Sequence, residues 1–251
     1  MKIGILTLRL FKNYGGILQN YALSRFLQKN GYDVETINIV WSYQLNGVKK
    51  YFVWLKRLVR NMLIGKWYSL DEEKILRNNE LVAAQRVNAF KEKNIPLSQK
   101  VYSLPGADFS DISNKYDTII VGSDQVWRPK YTGGIEKYFL SFADNRIKKI
   151  AYSASFGTDK NEYSFYEKWV CGKLIKRFDA ISVREESAIS LIREQLHWDV
   201  DVIQTLDPTM LLDITDYKSL VGQVVNNNKI FVYILDSSVQ KISFVEKLEK
   251  V

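Results

Sequence analysis

The stretch YDTIIVGSDQVW, at residues 116–127, decides the fold class that we predict. Residues 118–121 form a near-continuous apolar run of β-forming residues, which is typical of a strand covered by helices on both faces. Such strands belong to parallel sheets. A small residue and then polar and aromatic residues follow the run: Gly122, Ser123, Asp124, Gln125 and Trp127. Because open α/β sheets bind ligands beyond the carboxyl ends of their strands, we predict a binding loop here.

The same loop has a simpler interpretation, which the sequence leaves open. Ser123 or Asp124 would then cap the following helix, and Trp127 would belong to the core. These two interpretations differ in whether the Trp127 ring is exposed at the sheet edge or buried beneath it.

Strands and helices alternate along the rest of the chain. A strand is predicted at residues 2–8, a polar loop at 9–16, a helix at 17–29 and a second strand at 34–40. A capping box of Ser69 and Glu72 predicts the start of a further helix, which ends near Lys93. The remaining strands are predicted at residues 149–155, 179–183 and 201–205. The remaining helices are predicted at residues 162–177 and 185–195. This order predicts an α/β fold with a doubly wound parallel sheet, that is, a Rossmann-like domain.

The regular alternation changes near residue 212. We predict an N-terminal Rossmann-like domain at residues 1–212 and a linker at 213–228, where Gly222 and three consecutive asparagines break the pattern. Residues 229–251 would supply a strand at 229–235 and a helix at 239–250, capped by Ser237 or Ser238. One strand and one helix cannot enclose a core, so this tail either extends the first domain or begins an incomplete second one.

The amino-acid composition excludes or disfavours several kinds of functional site. Hydrophobic residues make up 46% of the 251 residues and charged residues 25%, as in ordinary globular proteins. The single cysteine, Cys171, excludes an intramolecular disulfide and suits a reducing cytoplasm, and we interpret it as a small core residue. The single histidine, His197, removes most support for Ser-His-Asp and Cys-His hydrolases and for histidine metal sites. We therefore predict no metal, and a structural role for His197.

The formal net charge of +8 is concentrated in one segment. No acidic residue occurs between Glu35 and Asp71, and apolar residues recur at three- and four-residue spacing through residues 48–63, which predicts a basic amphipathic helix. With Trp41, Trp54 and Trp67 around it, this helix suits peripheral contact with an anionic membrane. The alternative, which we favour, is a helix packed on its own domain with a solvated basic face. We expect a cytoplasmic protein, in the first case at the inner face of the cell membrane, and no nucleic-acid partner, because no recognised motif accompanies the charge.

Two further places offer groups that could bind an anion. The loop Asn13, Tyr14, Gly15 and Gly16 leads into a helix with Gln19 in its first turn, where glycines and the helix N-terminus favour phosphate or carboxylate. The glycines could equally serve a tight turn, and the spacing does not match the dinucleotide-binding fingerprint.

Arg184 is the second place, because it ends a predicted strand and precedes Glu185. Its guanidinium could hold a carboxylate or phosphate through two hydrogen bonds, or it could form a surface ion pair with Glu185 or Glu186. Ser153, Ser155 and Asp207 follow other strands and complete a predicted rim, although Asp207 and Thr209 could also be turn formers.

Five motifs occur together in this order: NYGGILQNYAL at residues 13–23, VGSDQVWRPKYTGG at 121–134, AYSASFG at 151–157, FDAISVREESA at 178–188 and LDPTMLL at 206–212. In this combination the chain closely resembles the polysaccharide pyruvyl transferase family over essentially its whole length. The resemblance implies a two-domain architecture like that of GT-B glycosyltransferases. It also implies transfer of pyruvate from phosphoenolpyruvate, the donor substrate, to a sugar of a bacterial cell-surface polysaccharide or its lipid-linked precursor, forming a ketal. No cofactor is expected.

Members of the family continue into a complete second domain, which contributes an arginine and histidine motif to the donor site. This chain ends at Val251. The resemblance therefore implies a truncated second domain, with the catalytic acid in the missing part.

The reaction and the resemblance together suggest roles for the predicted residues. Phosphoenolpyruvate carries a carboxylate and a phosphate, so its site needs cations and N–H donors more than a nucleophile. We expect Arg184 and the Asn13 to Gln19 segment to hold the donor, Asp124 to orient or deprotonate the acceptor hydroxyl, and Trp127 to support the sugar ring. Two other functions stay open: a GT-B-type glycosyltransferase that uses a sugar nucleotide, and a non-catalytic, membrane-associated remnant.

Overall fold

The computed structural model describes residues 1–11, 13–41, 85–103, 109, 112, 114–221, 232, 234 and 238–248. The chain forms two compact units, Met1–Leu212 and Asp213–Val251. The predicted basic helix at residues 48–63 and the predicted capping box of Ser69 and Glu72 lie outside the described residues. Of the strand predicted at residues 229–235, only Val232 and Ile234 are described. That the second unit begins another Rossmann-like domain stays a prediction.

The described part of the first unit contains two parallel sheets. Its strands are β1 (Lys2–Leu6), β2 (Asp33–Thr36), β3 (Ile39–Trp41), β4 (Val101–Ser103), β5 (Thr118–Val121), β6 (Lys148–Ala154), β7 (Ala180–Val183) and β8 (Ile203–Gln204). Six of them form one sheet in the order β2-β1-β5-β6-β7-β8, and β3 pairs with β4 separately. The predicted α/β class with a parallel sheet is confirmed.

Seven α-helices occur among the described residues: α1 (Tyr14–Lys29), α2 (Gln85–Asn94), α3 (Pro129–Thr132), α4 (Phe165–Ile175), α5 (Glu186–Ser190), α6 (Ile214–Lys218) and α7 (Val239–Leu248). Short 3-10 segments follow at Ile135–Phe139 and Pro208–Met210, and a π-helical turn at Leu191–Gln195 continues α5. The helices α6 and α7 belong to the second unit.

The strand order reverses at β1, which determines where a ligand can bind. Ile5 of β1 pairs with Thr36 of β2 on one side and with Ile120 of β5 on the other. The chain leaves β1 toward β2 and later continues from β5 in the opposite direction. Such a switch point opens a crevice between the loops that follow the two central strands. Those loops are residues 7–13 after β1 and residues 122–128 after β5.

The second strand is shorter than predicted. Residues 34–40 were expected to form one strand, but β2 ends at Thr36 and β3 joins the small sheet. The reason is that the backbone of Thr36 also pairs with the segment after α2: Thr36 N donates to Pro96 O at 2.6 Å, and Ser98 N donates to Thr36 O at 2.9 Å. The chain therefore turns out of the main sheet after Thr36.

The start of α1 differs from the prediction, and two short helices, α3 and α6, form where none was predicted, each for a local reason. Helix α1 begins at Tyr14 and not at residue 17, because the Asn13 side chain caps it by accepting a hydrogen bond from Gly16 N at 3.2 Å. The predicted loop around Pro129 contains α3, whose first turn suits proline. The predicted linker contains α6, whose cap Asp213 accepts from Thr215 N. Helix α7 begins where predicted, with Ser238 Oγ accepting from Lys241 N.

The loop after β5 contributes the centre of an aromatic core. The Trp127 side chain is fully buried and stacks on Phe139, with 4.9 Å between ring centroids and an interplanar angle of 11°. Trp127 Nε1 donates to Tyr138 O at 3.2 Å, and Tyr163 Oη donates to Trp127 O at 2.6 Å. The predicted role of Trp127 as a platform for a sugar is therefore wrong, and the alternative interpretation as core is confirmed.

Candidate functional site

The loops after β1 and β5 meet at the switch point through two side chains. Asn13, the cap of α1, donates from Nδ2 to Asp124 Oδ2 at 3.1 Å. Gly16 makes this approach possible, because a Cβ atom there would lie 2.8 Å from Asp124 Oδ2. The sequence therefore brings the N-terminus of α1 and the Asp124 carboxylate together, as predicted for the carboxyl edge of the sheet.

Backbone hydrogen bonds hold Asp124 in place. Its Oδ1 accepts from Gln125 N at 2.8 Å, and its carbonyl oxygen accepts from Val126 N at 2.7 Å and Ser155 N at 3.2 Å. Trp127 N in turn donates to Ser155 O at 3.1 Å. The loops after β5 and β6 are thus joined, so the carboxylate has a fixed position relative to both.

Arg184 follows β7 at the same edge and is the centre of a polar network. Its Nε donates to Glu185 Oε1 at 2.8 Å, its Nη2 to Ser155 Oγ at 3.2 Å, and its Nη1 to Asp207 Oδ2 at 3.5 Å. The side chain is 27% exposed, so part of it is accessible to solvent. The predicted ion pair with Glu185 is present, although it belongs to the crevice network.

Asp207 extends this network to the helix at the switch point. Gln19 of α1 donates from Nε2 to Asp207 Oδ2, while the backbone N and the hydroxyl of Thr209 donate to Oδ1 at 3.0 and 2.7 Å. Burial alone would raise the pKa of Asp207, but the bonds from Thr209 and Gln19 and the charge of Arg184 together lower it. Asp207 therefore stays ionised, and it also caps the 3-10 segment Pro208–Met210.

The predicted serines do not reach the solvent. Ser123 and Ser153 are buried, and their hydroxyl oxygens have no hydrogen-bond partner among the described residues. Their predicted contact with a substrate stays a prediction, and neither hydroxyl is exposed to solvent. Ser155 is also fully buried, but its Oγ donates to Glu185 Oε1 at 2.9 Å and accepts from Arg184. Ser155 thus positions the two charged groups and does not face the crevice.

The other predicted residues lie at the rim. Tyr14 is 67% exposed in the first turn of α1, beside the exposed Gly15. Gln125 is partly buried under the loop after β6, and a Cβ atom on Gly157 would lie 2.3 Å from its Cδ. Gln125 therefore supports the neighbouring loop, whereas Tyr14 and Gly15 are accessible.

Sequence reasoning missed one charged cluster next to the site. Arg128 binds Glu162 through Nε at 3.0 Å and Nη2 at 3.1 Å, and Lys130 adds a third contact at 2.8 Å. The hydrogen bonds from Arg128 and Lys130 lower the pKa of Glu162 to about 2. The position of Arg128, directly after the stretch 116–127, marked it as a residue near the predicted loop. Nothing in the sequence identifies Glu162 as its partner.

Two features are absent from the described part of the chain. Among these residues, no group of three or more His, Cys, Asp or Glu side chains is arranged to hold a metal ion. No described helix combines the length and the apolar character that crossing a bilayer requires.

The parallel sheet and the polar crevice at its switch point define an α/β protein of the Rossmann-like class. The family model for polysaccharide pyruvyl transferases matches residues 13–248, and the chain belongs to that family.

A comparison with curated proteins finds no match. Among solved structures, the chain is similar to an α-glucosyltransferase in complex with UDP and a 13-mer DNA containing an HMU base, with 14% identity and a TM-score of 0.43. The match covers 89% of this chain and 46% of that one, so the chain spans less than half the length of that structure.

Proposed function

We propose that this protein takes part in pyruvyl transfer from phosphoenolpyruvate to a saccharide, forming a ketal on two of its hydroxyls. The observation that carries the proposal is the family match over residues 13–248, which includes every residue of the crevice network. The acceptor we infer is a sugar of a cell-surface polysaccharide or of its lipid-linked precursor. The geometry of the crevice supports a division of roles among its residues.

The donor would bind between Arg184 and the N-terminus of α1. Phosphoenolpyruvate carries a carboxylate and a phosphate, and a guanidinium and free helix N–H groups both suit such anions. The contact of Arg184 with Asp207 is its longest, at 3.5 Å. An anion could replace it, since Asp207 would keep its bonds to Thr209 and Gln19. Glu185 and Ser155 would continue to hold Arg184 in place.

The acceptor would bind at Asp124. In the reaction, the methylene carbon of the donor gains a proton, a sugar hydroxyl adds to the central carbon, phosphate leaves, and a second hydroxyl closes the ketal. A carboxylate that accepts the hydroxyl proton assists the addition step. Asp124 is partly exposed and is fixed by Asn13 and Gln125, so its oxygens can orient an incoming hydroxyl.

Calorimetric titration of the full chain with phosphoenolpyruvate tests the donor site. Replacing Arg184 with Ala should weaken binding by about 10- to 100-fold, because a charge-assisted hydrogen-bond pair is lost. Arg184→Lys should restore only part of the affinity, since lysine cannot form the paired contact. The matched control is Arg193→Ala, at an exposed arginine after α5, which should bind like the unmodified protein. Equal affinity for the Arg184→Ala and Arg193→Ala variants would remove Arg184 from the donor site.

Two further measurements separate the alternative functions. Thermal stabilisation by sugar nucleotides and not by phosphoenolpyruvate would indicate a glycosyltransferase. If neither ligand stabilises the protein and no phosphate is released with any acceptor, the catalytic proposal is wrong and a non-catalytic binding role replaces it. An Asp124→Asn variant that binds phosphoenolpyruvate normally but releases phosphate more slowly would support the acceptor role.

A further inference from the structure

Helix α4 exposes three aromatic side chains on one face. The exposed fractions are 89% for Phe165, 69% for Tyr166 and 54% for Trp169. Phe165 and Trp169 are four residues apart and therefore lie one above the other on the helix, with Tyr166 beside them. Single exposed apolar residues are ordinary, but a cluster of three large rings marks a contact surface.

The helix that carries these rings is firmly held. Its first turn has a capping box, in which Ser164 Oγ accepts from Glu167 N and Glu167 Oε2 accepts from Ser164 N. Its opposite face buries Cys171 and Ile175 in the core. The aromatic face is therefore a fixed feature of the fold and not the result of a frayed terminus.

Basic residues continue the same face toward the C-terminal end of α4. Lys173 and Lys176 are exposed, and Lys173 Nζ lies 3.6 Å from the centroid of the Trp169 ring. Glu167, the only acidic residue of the helix, is occupied in the capping box. We refer to Phe165, Tyr166, Trp169, Lys173 and Lys176 as the α4 face.

The residue types of the α4 face fit one kind of partner better than others. A saccharide surface needs carboxylates or amides to bind hydroxyl groups, and this face presents none. Aromatic side chains with lysines are suited to the boundary of a bilayer, where rings enter the headgroup region and ammonium groups meet phosphates. The local charge of the face also complements an anionic surface, because Lys173 and Lys176 are exposed and Glu167 is held in the capping box.

We propose that the α4 face is a docking surface for an anionic lipid bilayer. Phe165 and Trp169 would enter the interface, while Lys173 and Lys176 would contact lipid phosphates. This surface differs from the basic segment at residues 48–63, on which the sequence-based expectation of membrane contact rested.

The position of α4 links this docking to the crevice. In a parallel α/β unit, the helix after a strand begins at the carboxyl edge of the sheet, so Phe165 lies at the same edge as Asp124 and Arg184. The bidentate contact between Arg128 and Glu162 ties the loop before α4 to the loop after β5. Docking would therefore bring the crevice to the lipid surface, where a lipid-linked acceptor is located. Only this last consequence rests on the proposed function.

Co-sedimentation of the full chain with vesicles tests the docking. We expect binding to phosphatidylcholine vesicles containing 30% phosphatidylglycerol, weak binding to pure phosphatidylcholine, and weaker binding at high salt. Because a single lysine near an anionic surface changes the partition coefficient about 5-fold, Lys173→Glu with Lys176→Glu should lower it at least about 20-fold. Phe165→Ser with Trp169→Ser should lower binding while leaving its salt dependence.

The matched control is Lys115→Glu with Lys148→Glu, which makes the same change in net charge at the opposite, amino edge of the sheet. This variant should keep most of the binding, and circular dichroism should show that all variants are folded. Equal losses in both lysine pairs, or full binding by both α4 variants, would overturn the assignment.

Sedimentation velocity without vesicles adds one more outcome: self-association that the Phe165 and Trp169 changes abolish would make the face a protein interface instead. Phosphoenolpyruvate affinity, measured without vesicles, should be the same in all these variants, so failure of docking and failure of the proposed function are distinguishable.

Discussion

At the scale of single residues, the geometry of the crevice depends on the glycine at position 16. Gly16 lies in the first turn of α1 and faces Asp124, which leaves room for the bond between Asn13 Nδ2 and Asp124 Oδ2. Gly15 is different, because a Cβ atom there would meet only Asn13 Oδ1, at 3.3 Å. The two neighbouring glycines therefore form a natural pair of test and control positions.

Replacing Gly16 with Ala should displace the Asp124 carboxylate and slow phosphate release about 10-fold or more. Its stability should change by less than about 1 kcal/mol, because the gain in helix propensity offsets the lost hydrogen bond. Steady-state phosphate release and urea unfolding measure the two effects. Gly15→Ala should gain the same helix propensity and leave the Asp124 carboxylate in place, so at saturating phosphoenolpyruvate it should release phosphate faster than Gly16→Ala. If both variants lose activity equally, contact with Asp124 is not the reason.

At the scale of elements, charged contacts connect loops that the sheet alone does not hold together. Glu162 precedes α4, whereas Arg128 and Lys130 flank the start of α3, and their contact joins the loops after β6 and β5. The Glu162 side chain is only 11% exposed, so solvent screens this contact less than an ordinary surface ion pair. The stability of this joint should depend on the ionisation of Glu162.

Acid unfolding should show this dependence. The folded-state pKa of Glu162 is about 2, below its ordinary value of 4.5. The stabilisation is therefore present above pH 4.5 and is lost as the pH falls toward 2. A Glu162→Gln variant should have a lower free energy of unfolding at pH 7, and the difference from the unmodified protein should shrink across this window. Chemical denaturation at a series of pH values measures it, with the exposed Glu194→Gln as control. Parallel pH profiles for the unmodified and Glu162→Gln proteins would contradict the expectation.

At the scale of the whole first unit, a polar crevice lies at the carboxyl edge of the sheet and an aromatic cluster supports its loops from below. Trp127 connects the crevice loops with the aromatic cluster. Its backbone N donates to Ser155 O, while its ring stacks on Phe139 and lies 5.5 Å from Phe156 between ring centroids. The cluster thus fixes the loop that carries Asp124, while the rings of Trp127, Phe139 and Phe156 are themselves buried.

Replacing Trp127 with Ala should lower the free energy of unfolding by about 3–5 kcal/mol, because a large cavity would remain in the core. Such a loss is a large share of the 5–15 kcal/mol that typically stabilises a domain. Trp127→Phe should cost less, since a ring still fills part of the space. Guanidinium unfolding monitored by circular dichroism measures the loss. A normal unfolding midpoint with weaker saccharide binding would restore the role of Trp127 as a platform.

Much of this organisation was predictable from local patterns. The apolar run at residues 118–121 identified a covered parallel strand, and the alternation around it identified the α/β class, because strand and helix periodicities are local properties. Asn13, Asp124, Arg184 and Asp207 were predicted at strand or helix ends, and the fold brings them to one edge. The early start of α1 and the split at Thr36 were not predicted, since each depends on hydrogen bonds that the patterns do not show.

The sequence by itself thus determined the fold class, the family and the edge of the sheet where polar residues gather. Only the tertiary structure decided which of those residues face the crevice: it buried Trp127, Ser123 and Ser153, and it paired Arg128 with Glu162 and Gln19 with Asp207. The physical reason is that periodicity records which element a residue belongs to, whereas exposure and pairing depend on packing between segments far apart in the chain. Gln19 and Asp207, separated by 188 positions, are brought into contact only by the tertiary fold.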